Sequence, residues 1–107
     1  MTDTKARKLA LVSRKQFLTE RLSSIERELE GHKAKDFAEM ATEREGDEVL
    51  EDLGLASQEE LRAIEAALVR IEQGEYGYCV RCGDEIDAER LDLIPQTPFC
   101  APCAAHH

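Results

Sequence analysis

The 107-residue sequence predicts an all-α-dominated fold: a long antiparallel helical hairpin, folded as a coiled coil, followed by a small cysteine-rich module. Three observations predict it. Two stretches carry apolar residues at heptad spacing, no proline falls between Leu18 and Leu68, and all four cysteines lie beyond residue 78. Composition agrees, since charged residues make up 35% and aromatics only 5%, with no tryptophan. A chain built this way favours long charged helices over a compact core of large side chains.

The first arm presents Leu11, Leu18, Leu22, Ile25 and Leu29, which from Leu18 onward step by four, three and four. That is the period of a coiled-coil seam. A second seam runs through Leu50, Leu53, Leu61, Ile64, Leu68 and Ile71. Either helix alone would leave its apolar stripe in water, whereas folding one against the other covers both. Leu29 with Leu50, Leu18 with Leu61 and Leu11 with Leu68 are antiparallel pairs whose residue numbers all total 79. This register puts the turn near residues 39–40 and makes each arm about thirty residues, or on the order of 45 Å at ~1.5 Å per residue.

The turn falls in a block of acid. Residues 36–52 hold eight Asp or Glu against Arg44 alone, while residues 1–35 hold nine Lys or Arg against five acids. Gly31 is the expected stop of the first helix. Asp36-x-x-Glu39 and Thr42-x-x-Glu45 both have capping-box form, so either can begin the second. Phe37 and Met40 read as a small apolar plug where the arms join. Gly46 and the stretch 54–57 weaken the second helix locally, without interrupting its seam. His32 reads as an exposed polar residue, and His106 and His107 receive no role.

Residues 74–103 contain Cys79-x2-Cys82, seventeen residues, then Cys100-x2-Cys103. Each knuckle can offer two sulfurs to one ion, and two knuckles complete a tetrahedron, so the spacing predicts a four-cysteine zinc finger. Thiolates suit zinc, which is borderline-soft and redox-inert, although spacing alone also admits iron. All four positions are filled by protein, which makes the metal structural and leaves no open site for catalysis. Gly83 stands where the chain turns back around the first knuckle and a side chain would crowd it. A thioredoxin-like redox pair lacks the βαβ setting it needs. The expected division is a hairpin over residues 1–73, with its acidic tip at about 33–45, and a four-cysteine zinc finger over 74–107.

No apolar run approaches the ~20 residues of a membrane span, and the N-terminus leads into no signal core. A cytoplasmic protein is expected, where cysteines bind metals rather than pair as disulfides. A formal charge of −9 disfavours binding nucleic acid through its phosphates.

A hairpin with an acidic tip, followed by Tyr76-Gly77-Tyr78-Cys79, Ile86, Arg90-Leu91, Pro95 and both knuckles, resembles the DksA/TraR family of bacterial transcription regulators. The resemblance spans roughly residues 5–103 and is most specific over 74–103. It implies a non-enzymatic protein that binds RNA polymerase, inserts its hairpin into the secondary channel and does not bind DNA. The family's tip motif, Asp-x-x-Asp-x-Ala, falls on Asp36, Glu39 and Ala41, with Glu39 replacing the second Asp. The resemblance also raises ppGpp as a ligand at the complex. Longer members carry a C-terminal helix beyond the finger that contributes to that site; here residues 53–73 offer only Arg62 and Arg70 as cations, which weighs slightly against ppGpp dependence and leaves it open. A hairpin that pairs with itself leaves little seam for a second copy, so a monomer is expected. The competing readings are a transcript-cleavage factor using tip carboxylates around Mg²⁺, and a zinc-ribbon adaptor for another protein or DNA.

Overall fold

The computed structural model describes the backbone of residues 2–33 and 37–105, and the side chains of residues 4–31 and 48–105. Two helices dominate: α1, Thr2–Lys33, and α2, Phe37–Glu72. Two short ones follow, α3 at Ala88–Leu93 and α4 at Ala101–Ala105. Together α1 and α2 make the helical hairpin. The chain divides into two compact units, one of Met1–Lys15 with Arg62–His107 and one of Gln16–Leu61.

In the Gln16–Leu61 unit the seam of α1 follows the heptad pattern. Leu18 is fully buried and Ile25 is buried seven residues later, with Leu22 and Leu29 partly buried beside them. The α2 side differs from expectation. Leu53 is 39% exposed, and the residue turned inward is its neighbour Gly54. Leu50, Gly54, Ser57 and Leu61 keep the four–three–four step, so the helical period outranks the apolar character of Leu53. A methyl group added at Gly54 would lie 3.9 Å from Ile25 Cγ2 and 4.0 Å from Leu22 Cδ2. Gly54 and Ile25 also total 79, in the register read from the leucines. Ser57 is buried in the same seam, and its Oγ has no hydrogen-bond partner.

Glycine does not break these helices. α1 continues through Gly31 to Lys33, past the expected stop, and α2 is unbroken through Gly46 and Gly54. A helix-interior glycine costs only about 1 kcal/mol relative to alanine, too little to interrupt a helix held by its packed face. Phe37, Met40, the capping residues Thr42 and Glu45, and His32 have side chains outside the described residues, as do His106 and His107.

In the other unit Leu11, Ile64 and Ala67 are buried where the hairpin closes. α2 ends in a Schellman motif. Gly74 adopts φ +74°, its N–H donates to Ile71 O at 3.2 Å, and Glu75 N–H donates to Arg70 O at 2.9 Å. The left-handed residue is glycine because a Cβ is strained there. The chain thus leaves the helix sharply and enters the cysteine module.

Candidate metal centre

The cysteine module has a core of Cys79, Ile86 and Leu91, with Tyr76, Phe99, Cys100 and Cys103 packed against it. So small an apolar core cannot order some thirty residues without another source of stability. Hydrogen bonds supply part. Tyr78 and Glu85 form an antiparallel bridge, and Ile86 N–H donates to Gly77 O at 2.8 Å. Cys79 N–H donates to Asp84 O at 2.8 Å, and Gly83 N–H returns to Cys79 O at 2.9 Å. This closes the first knuckle around the Cys79 sulfur.

Gly83 has φ +81°, and a Cβ placed there would meet nothing within 4 Å. Its requirement is therefore conformational, and the crowding expected from sequence is absent. The second knuckle is held by different residues. Arg90 Nε donates to Phe99 O at 3.0 Å and its Nη2 to Thr97 Oγ1 at 3.4 Å. Thr97, buried, donates to Phe99 O and accepts from Phe99 N–H. Val80 N–H donates to Pro98 O at 2.9 Å, which joins the two knuckle segments directly. Tyr76 Oη donates to Pro95 O at 2.8 Å; burial raises the pKa of this phenol and keeps it a donor.

These ties bring four thiols together. The sulfurs of Cys79, Cys82, Cys100 and Cys103 all lie within 4.8 Å of one another, and Cys82 and Cys100 are 3.7 Å apart. A tetrahedron with bonds of about 2.3 Å has edges of about 3.8 Å, so the spacing suits zinc. It is far from the ~2.05 Å of a disulfide. The four thiols differ in how readily they ionise. Burial pushes the Cys79 thiol up, but hydrogen bonds from the backbone at Cys100, Cys82 and Arg81 outweigh it and bring it down to about 6. Cys103 is pushed up to about 12, first by its hydrogen bond with Cys100 and then by burial. One sulfur of the cluster ionises easily because backbone N–H groups stabilise its thiolate, while its neighbour keeps its proton in a hydrogen bond with Cys100 and away from water. Four cysteines at this spacing can hold one divalent ion through their sulfurs.

A further set of residues, invisible to the spacing argument, holds the module on the helices. Arg7 Nε donates to Asp92 Oδ1 at 3.1 Å and its Nη2 to Ala88 O at 3.3 Å. The Arg7 side chain is only 11% exposed, so α1 is anchored to α3 by one nearly covered guanidinium. The partners are 81 and 85 residues away in sequence, and no local pattern announces them. Asp36 lies outside the described residues. Glu39 and Ala41 belong to the first turns of α2, with side chains outside the description.

A long helical hairpin joined to a four-thiol finger defines a class of C4 zinc-finger protein with a coiled-coil arm. Residues 74–107 match the family described as prokaryotic dksA/traR C4-type zinc finger, and residues 8–71 match the DnaK suppressor protein-like N-terminal domain. The chain belongs to the DksA/TraR family, and its four cysteines hold one structural zinc.

An uncharacterized protein of Aquifex aeolicus is 40% identical over 75 residues, covering 70% of this chain and 52% of that protein. The RNA polymerase-binding transcription factor DksA of Haemophilus influenzae is 37% identical over 43 residues, 40% of this chain and 30% of that protein. The aligned region thus spans about half, or less, of these curated relatives. The structure of transcription factor DksA2 from Pseudomonas aeruginosa superposes with a TM-score of 0.86 at 25% identity, covering 99% of this chain and 83% of that one.

Proposed function

We infer that the protein is a non-catalytic, cytoplasmic regulator of transcription initiation. It binds RNA polymerase as a monomer and places the acidic end of its hairpin in the secondary channel, without contacting DNA. One observation carries the reading. A chain with polymerase-binding relatives concentrates eight acids against one arginine in residues 36–52, a segment that includes the first turns of α2. Inside a narrow protein channel the effective dielectric is low, so the position of a carboxylate matters more than on an open surface. Asp36 and Glu39 supply those charges, and the small Ala41 lets the tip backbone approach closely. Residues 1–73 act as the arm, and the finger, residues 74–107, closes its base through Cys79, Cys82, Cys100 and Cys103.

The test combines co-purification with core RNA polymerase and transcription from a responsive promoter. Asp36→Asn, Glu39→Gln and Ala41→Thr are expected to keep zinc content, helicity and polymerase affinity while losing the transcriptional effect. Asparagine caps a helix nearly as well as aspartate, so Asp36→Asn separates chemistry from capping. If that variant regulates like wild type, Asp36 is only a helix cap. Transcript cleavage in stalled elongation complexes would instead identify a cleavage factor, and a DNA gel shift a nucleic-acid adaptor.

A further inference from the structure

Charge along this chain is separated more sharply than its total suggests. Five of the fourteen Lys and Arg lie within residues 2–15, against Asp3 alone, although the whole chain carries −9. Two of these cations work inside the fold or toward it: Arg7 is nearly covered against α3, and Lys15 is partly buried. Lys5 and Lys8 are exposed. At 100° per residue, Lys5, Lys8, Leu9 and Val12 fall within an arc of about 100°, with Arg7 on the opposite side of the helix. Leu9 is 65% exposed and Val12 37% exposed. The first turns of α1 therefore present a face that is basic with an apolar centre, directed away from the finger that Arg7 holds.

This face does not serve the helix. Cations near a helix N-terminus oppose its dipole, and acidic residues would stabilise α1 at Lys5. Nor are exposed Leu9 and Val12 needed for the seam, which Leu11 fills. We propose that Lys5, Lys8, Leu9 and Val12 form a docking face for a carboxylate-rich segment of RNA polymerase, separate from the acidic tip. The inference rests on the polymerase-binding reading above and adds a second contact of opposite charge.

Charge complementarity selects the occupant. A nucleic-acid duplex would face the rest of the chain as well, which holds 22 acids against nine cations. Two apolar side chains are too few to seat a helix in a lipid interface. An acidic protein segment needs only local complementarity, with Leu9 and Val12 supplying the dehydrated centre that such contacts share.

The experiment measures affinity of the full chain for core RNA polymerase, with wild type, Lys5→Glu/Lys8→Glu and Leu9→Ser compared at two salt concentrations. The charge-reversed variant is expected to bind at least about tenfold more weakly at low salt and to lose most of the salt dependence seen in wild type. Its melting temperature is expected to hold or rise, because acids suit a helix N-terminus, so weaker binding cannot be ascribed to unfolding. A zero-length carbodiimide cross-linker, which joins amines to touching carboxylates, is expected to link Lys5 or Lys8 to an Asp- or Glu-bearing peptide of polymerase. Wild-type affinity in the charge-reversed variant would overturn the docking face alone. So would a loss confined to binding of anionic phosphatidylglycerol vesicles or duplex DNA, with polymerase affinity unchanged. Absence of polymerase binding by the wild-type chain would remove the regulator reading and this face with it.

Discussion

The cysteine module and the middle of the hairpin solve the same problem in opposite ways. Within residues 16–61, order comes from periodicity. Leu18 and Ile25 are buried singly, seven residues apart, and the facing positions include a glycine and an unpartnered serine. In the module, residues 74–105, there is almost no periodicity. Cys79, Ile86 and Leu91 are its buried apolar positions, and the remainder is cross-tied by Arg90, Thr97, Tyr76 and four thiols. A repeated seam distributes stability thinly over many positions, whereas a metal centre concentrates it in four. The two regions should therefore fail differently.

Removing the metal should have the largest effect. Structural zinc contributes on the order of 10 kcal/mol to the folding of such modules. Chelation or Cys79→Ser is expected to abolish zinc, measured by elemental analysis, and to expose amides of residues 74–105 to exchange while much of the helical signal persists. Unchanged exchange in metal-stripped protein would show that the hydrogen bonds alone suffice. Acid should act in the same direction. The Cys103 thiol, pushed up to about 12 without metal, is protonated at neutral pH, so zinc must displace its proton. Zinc affinity is expected to fall as pH is lowered, readable by metal competition between about pH 8 and pH 6.

The seam should respond next. Leu18→Ala, at a fully buried site, is expected to cost ~2–4 kcal/mol in a denaturant melt. Leu61→Ala is expected to cost less, because Leu61 is only partly buried, and to be non-additive with Leu18→Ala if the two are partners. Strict additivity would argue against their pairing. The opposite sign is expected where the seam is underfilled. A methyl at Gly54 would meet Ile25 and Leu22 at ordinary contact distance, so Gly54→Ala should stabilise by about 1 kcal/mol. Ser57→Ala removes a buried hydroxyl without a partner and should gain ~0.5–1 kcal/mol. A loss at Gly54 would mean that the close approach of α1 and α2 tolerates no added volume, and a loss at Ser57 that its hydroxyl is hydrogen-bonded in solution. The smallest change is expected for Asp92→Asn, under about 1 kcal/mol, because Asp92 is 66% exposed and solvent screens its pair with Arg7.

Sequence alone determined the two long helices and the α1 seam, because a heptad repeat is a local signal and the leucines that carry it are unmistakable; the turn it put near residues 39–40 falls instead inside α2. It also determined the metal centre, since the two knuckle spacings constrain four sulfurs before any fold is known. Tertiary structure decided what local signals do not encode. Leu53 outscores Gly54 by hydrophobicity, yet helical phase turns Gly54 inward, and only packing against Ile25 reveals that a small residue fits there. Thr97 shows no periodic signal, and its role appears once Arg90 and Phe99 converge on it. Arg7 reads as one cation among many until the fold brings it against Asp92 and Ala88. Hydrophobic period and ligand spacing are properties of neighbouring residues, whereas burial, hydrogen-bond partnership and the choice of one cation over another arise only when distant segments meet.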